Sequence, residues 1–391
     1  MKSIKALLGT AVLGLAAYAA PSSAALPELR PVQTLHPRPA ETLPLGEGRP
    51  LFGDAIAVRN DTALIALPVF SGEGRFGRIA IFKREDSGPW QRAGQLPCPA
   101  DDCVFANAIT LRGNIAVVGA SNVVLIFHRV DGVWRFTQRI TSPDPDLLQF
   151  GTPESVTYDG GFVTAAGYDA DERPGVLYVF QISSAGKLLR TFRLAPRDGF
   201  PGDGFGVTAA IAARTIVVGA PDANAAYIFN WNGTTWFQRA KLSGFGAFGD
   251  SVAIDQGQIL VGAPTAPAVG GRGVVYLYER VNEVWTERQQ FRPSSTDHPA
   301  FTEFGMKIVM FGTRAVATAF EGQGAEGQRM LAFVLDRTPT GLQARSFARS
   351  PGFFVGGVAL FHNTLMMGVP REAPDSQVGH VRVYNVNLPG Q

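Results

Sequence analysis

One outline returns seven times along this chain, and it limits the possible folds more than any other feature. It is clearest from Ala247 to Pro264, AFGDSVAIDQGQILVGAP, and its starts fall at Phe52-Gly53, Phe105-Ala106, Phe150-Gly151, Phe205-Gly206, Phe248-Gly249, Phe304-Gly305 and Phe354-Val355. A period of about 50 residues is long for a solenoid coil and suits a four-stranded propeller blade. Alternation and turn residues divide each unit into four strand-like pieces. In the fifth unit these are Ser251 to Ile254, Gln258 to Gly262, Val274 to Tyr278 and Val284 to Arg288, joined by the polar turns Asp255-Gln256-Gly257 and Val281-Asn282-Glu283.

Residue size grades across the unit. Strand two is rich in Gly, Ala and Val, as in Val218-Gly219-Ala220-Pro221 and Val261-Gly262-Ala263-Pro264. Strand three is aromatic, as in Tyr178-Val179-Phe180, and strand four opens with Trp90, Trp134, Trp236 or Trp285. Small side chains suit strands crowded near an axis, and bulky ones fill the widening gap between wedges. The seventh unit lacks a fourth strand. Leu29 to Arg38, LRPVQTLHPR, resembles the fourth strand of unit five, WTERQQFRPS, and is the expected substitute. The expectation is therefore an all-β, seven-bladed β-propeller of four-stranded blades, closed by an N-terminal strand that completes the last blade and leaves no open sheet edge.

Residues 1–24 have the layout of a secretory signal peptide: Lys2 and Lys5, an apolar run from Ala6 to Ala17, then the small residues Ser22-Ser23-Ala24-Ala25. Residues 25–391 are then a single exported domain, periplasmic or extracellular, with no transmembrane span. Loss of Lys2 and Lys5 balances 35 Lys+Arg against 33 Asp+Glu. A neutral chain without basic runs carries no electrostatic footprint for nucleic acid. Cys98 and Cys103 bracket a short loop and could close a disulfide ring in an oxidising compartment, or remain two thiols.

The Phe-Gly start and the Gly-Ala-Pro end of strand two, best kept in units four and five, resemble the FG-GAP repeat of integrin α-subunit propellers and of exported bacterial repeat proteins. The resemblance covers nearly all of the chain after residue 24. It implies a seven-bladed extracellular propeller used for binding. In integrins the turn between strands one and two carries acidic residues that cage calcium. The corresponding turns here, among them Arg59-Asn60-Asp61, Arg112-Gly113-Asn114, Ala213-Arg214, Asp255-Gln256-Gly257 and Gly312-Thr313, do not alternate three oxygen ligands. No cofactor is expected, and calcium is not supported by these hairpins.

Loops between strands two and three, and between blades, emerge on one face. They include Pro68 to Phe76, Tyr168 to Pro174, Pro196 to Gly204 and Pro264 to Arg272, and binding is expected on this long-loop face. Candidate binding residues are Asp169, Asp171 and Glu172, Asp198 and Asp203, and Arg272 beside Gly270-Gly271. The acidic groups could ligate a hard cation or be solvated loop residues. No catalytic residue is assigned, because His36, His128, His298, His362 and His380 fall in no serine or cysteine signature. The favoured function is an exported module recognising a protein or a glycan. The alternatives are an enzyme with its site at the central channel, and a structural part of a cell-surface assembly.

Overall fold

Two-residue turns set the local geometry. In the fifth unit Gln256 and Gly257 have φ of 48° and 74°, and Asn282 and Glu283 have 47° and 67°. Positive φ at both central residues gives a turn whose twist matches that of the flanking strands. The turns therefore fold each unit into an antiparallel meander, here Ser251–Asp255, Gln258–Ala268, Gly271–Val281 and Val284–Phe291. The computed structural model describes residues 25–38, 48–71, 74–99, 106–120, 122–145, 147, 149–168, 175–268, 271–294, 301–322, 329–350, 356–369 and 379–387. Every regular element among them is a β-strand, and the strands form seven separate sheets.

The sheets stand in a closed ring. Their innermost strands are Ile56–Arg59, Ala108–Arg112, Thr157–Asp159, Ala209–Ala212, Ser251–Asp255, Ile308–Phe311 and Val358–Phe361; each touches the next, and the last touches the first. The protein is a seven-bladed β-propeller. Its hydrophobic residues gather in seven clusters, each shared by two adjacent blades. No blade has a core of its own, so each is stable only against its neighbours.

The repeated motif is the joint between blades. Phe52, Phe248 and Phe304 are wholly buried, and the amide of the following glycine donates to strand two of its own blade, as in Gly249 N to Gly262 O at 3.0 Å. The carbonyl of that same Gly249 presses on the preceding blade: a Cβ on Gly219 would lie 1.9 Å from it. Gly262 meets Gly305 O, and Gly368 meets Gly53 O, in the same way. Thus the Phe-Gly of one blade and the Gly-Ala-Pro of the blade before it are two halves of one contact.

The amino end closes the ring and reaches further than expected. Gln33–Leu35 pairs antiparallel with His380–Asn385, with Leu35 opposite Val381, which supplies the fourth strand of the last blade. Just before it, Glu28–Leu29 pairs in parallel with the outer strand Gly341–Arg349 of blade six. Arg349 holds this lace through Glu28 at 2.6 Å and Glu321 at 2.6 Å. Two expected loops are corrected. The described parts of both, Pro68 to Ser71 with Gly74 to Phe76, and Pro264 to Ala268 with Gly271 and Arg272, belong to extended ribbons, with Val69 opposite Phe76 and Pro267 opposite Arg272. A bulge between Ala263 and Pro267 accommodates prolines that would otherwise interrupt the ladder.

Candidate functional site at the central channel

The channel down the ring axis has two unlike mouths. On the side of the hairpins joining strands one and two it opens into a cavity of about 790 Å³. The turn geometry places residues from all seven blades on its wall, among them Arg59, Arg112, Tyr158, Ala212, Asp255, Arg314 and His362. Deeper in, apolar side chains such as Ile211, Ile254 and Ile308 narrow the bore.

The charged groups at this mouth also tie blades together. Arg112 pairs with Asp159 of blade three, whose other oxygen accepts the Ala213 amide of blade four at 2.8 Å. Asp255 of blade five accepts the Gly312 amide of blade six at 2.7 Å, and Arg337 donates to the Asp255 carbonyl at 3.2 Å. Arg314 pairs with Asp336 at 3.1 Å and donates to Asn387 at 2.9 Å. Burial pushes the Arg112 guanidinium below its ordinary value, and the positive charge of Arg59 adds to that push.

Arg59 is arranged differently. Its guanidinium lies 5.0 Å from the ring centre of Phe361 and 5.5 Å from that of Phe311, beside the exposed His362 ring, which packs on Phe311 at 4.6 Å. Its side chain makes no ion pair or hydrogen bond among the described residues.

The opposite mouth is acidic. Glu154 of blade three and Lys307 of blade six form an ion pair across the bore at 3.1 Å. Asp250 stands near Glu154, Asp222 and Glu303; burial first, and then these three carboxylates, push it up to about 6. Asp54 is likewise raised, chiefly by burial.

The residues expected from the sequence do not meet at one place among the described residues. Asp198 is exposed and pairs with Lys241 at 2.6 Å, and that hydrogen bond holds its carboxyl below the usual range. Asp203 accepts the Phe200 amide at 2.7 Å and so shapes its own loop. Arg272 lies in the extended ribbon of blade five. Asp169, Asp171 and Glu172 lie outside the described residues. Cys98 is disulfide-bonded, and Cys103, the only other cysteine of the chain, lies outside them too. Among the described residues no group of three His, Cys, Asp or Glu side chains is placed to hold a metal ion. Sequence reading passed over Arg59, Arg112, Asp255, Arg314 and His362. The available signal was an arginine in or beside four of the seven inner hairpins, Arg59, Arg112, Arg214 and Arg314.

No family model matches the chain, and no curated protein matches it. Among solved structures it is similar to Sqt1 of Chaetomium thermophilum, at 13% identity over 92% of this chain and 98% of that one, with a TM-score of 0.51. Sqt1 of Saccharomyces cerevisiae gives 12% identity, 91% and 99% coverage, and a TM-score of 0.51. A functionally unknown protein from Desulfotomaculum acetoxidans gives 12%, 80% and 93%, and 0.50. At such identities the likeness extends to the fold alone: the chain is a seven-bladed β-propeller.

Proposed function

We propose that the protein is an exported propeller of the FG-GAP type that acts as a binding module, seating a glycan-sized ligand in the hairpin-side mouth of its channel. The observation that carries this reading is the cavity itself. At about 790 Å³ it falls in the range of small-ligand sites, and polar groups from six blades converge on an apolar bore. Export is supported by the layout of residues 1–24, and the FG-GAP relationship by the joint that Phe-Gly and Gly-Ala-Pro residues make between blades.

Phe200 and Phe245 favour a second reading, a protein partner on the long-loop face. They are 69% and 77% exposed, and Phe200 shares its loop with Asp198 and Asp203. A glycan array and a pull-down from cell-envelope extract, run with the wild type, Thr313→Trp and Phe200→Ser, separate the two. Thr313 is exposed at the cavity rim. Glycan binding lost in Thr313→Trp and kept in Phe200→Ser supports the mouth. Capture of a protein lost only in Phe200→Ser moves the site to the loops. Sequencing of the mature amino end checks export, with Ala25 as the expected first residue.

A further inference from the structure

Among the described residues, the arginines on the cavity wall, Arg59, Arg112 and Arg314, are with one exception committed to the protein's own acceptors, as are Arg84, Arg129 and Arg337 around them. Arg84 donates to Thr364 at 3.1 Å and Arg129 to Thr62 at 3.4 Å, both across blade boundaries. Arg112, Arg314 and Arg337 are engaged as described above. Arg59 remains. Its charge lies over two aromatic rings, and such contacts, unlike ion pairs or hydrogen bonds to acceptors, do not use up its N–H groups. Those N–H groups match the two oxygens of a carboxylate or sulfate in a fork that a lysine cannot reproduce.

The surroundings favour a negative guest. Arg59 and Arg112 are close enough to raise each other's electrostatic energy, and the cavity wall excludes part of the water that would screen them. The acids nearby are already engaged: Asp159 with Arg112 and the Ala213 amide, Asp255 with the Gly312 amide. The other end of the bore is crossed by the Glu154–Lys307 pair, so an anion meets a repelling acidic mouth there and an attracting one here.

From the free guanidinium of Arg59, its neighbour Arg112 and the cavity they line, we infer that the hairpin-side mouth is an oxyanion receptor. It takes a carboxylate or sulfate group carried on a saccharide-sized ligand. The inference rests on the reading of the mouth as the binding site and names the chemistry that enters it. Arg59 makes the fork, Arg112 adds charge, and the exposed ring of His362 offers a face to the rest of the ligand.

The test is isothermal titration of the mature protein with glucuronate, with inorganic sulfate, and with glucose as the neutral counterpart, all at one ionic strength. Glucuronate or sulfate should give saturable heat and glucose should not; which of the two titrates assigns carboxylate or sulfate. Arg59→Gln should weaken that binding about tenfold or more, since a charged hydrogen-bonded contact is lost. Arg59→Lys, which keeps the charge over the two rings, should lie between. Melting curves without ligand confirm that each variant is folded. If Arg59→Gln does not fold, the Arg59→Lys comparison and the glucose control decide. Flat titrations of the wild type with both anions, or unchanged affinity in the folded Arg59 variants, overturn the inference. If Thr313→Trp still abolishes binding to a neutral glycan in that case, the mouth remains the site and only the oxyanion chemistry falls.

Discussion

Gly219 shows how a motif residue can be required without touching a ligand. An added Cβ would fall 1.9 Å from Gly249 O, a backbone atom fixed by its own hydrogen-bonded turn. Neither side can yield without parting blades four and five. Gly219→Ala is expected to cost about 2–4 kcal/mol, read as a lower midpoint in urea. Gly257, with φ of 74° but open space around it, should lose only about 1 kcal/mol on the same change. Asp250 supplies the second test at this scale. Its pKa rises from an ordinary 3.8 to about 6 on folding, so between those values the folded chain holds a proton that the unfolded chain has released. Stability from this group is therefore greatest below pH 4 and is lost as pH climbs through 6. Asp250→Asn should flatten that slope and raise stability at pH 7 by about 1 kcal/mol, a figure reduced for partial solvent access. Urea titrations at pH 4.5 and 7 check it; equal slopes in both proteins would remove Asp250 as the cause.

At the scale of the element, the amino-terminal lace carries more than its length suggests. Leu35 and Leu29 are both almost wholly buried, one in the cluster between blades seven and one, the other between blades six and seven. Leu35→Ala should cost about 2–4 kcal/mol, and removal of residues 25–38 should leave an open edge and a chain that aggregates on light scattering. This closure was legible because Leu29 to Arg38 copies the fourth strand of unit five. The parallel pairing of Glu28–Leu29 was not, since two residues carry no period. The ribbons past Pro68 and Pro264 were hidden for a related reason: proline signals a loop locally, while bulges and ribbon edges that tolerate it are tertiary features. The mouth residues escaped for a third reason. They sit in short turns about 50 residues apart, unremarkable singly, and their convergence exists only once the ring is assembled.

At the scale of the whole molecule, seven shared clusters mean that the ring gains its stability at its joints, and the joint between the first and last blades is the one the chain does not close by continuity. The strand Gln33–Leu35 runs antiparallel to His380–Asn385 with Gln33 opposite Val383 and Leu35 opposite Val381. That is the register a hairpin would give if the segment followed the last strand directly, as Val284–Phe291 follows Gly271–Val281 in blade five. What matters is then the pairing, not the end of the chain that supplies it. A permuted protein lacking residues 25–38 at its front and carrying them after Gln391, through a short Gly-Asn turn, should regain the solubility that simple truncation loses. The parallel contact of Glu28–Leu29 with blade six should be weakened by the new connection, and its ion pair with Arg349 along with it. The permutant is accordingly expected to melt in one transition a few degrees below the wild type, with the same far-ultraviolet spectrum. Two separate transitions, or aggregation equal to that of the truncated chain, would mean that the amino-terminal position itself is needed for closure.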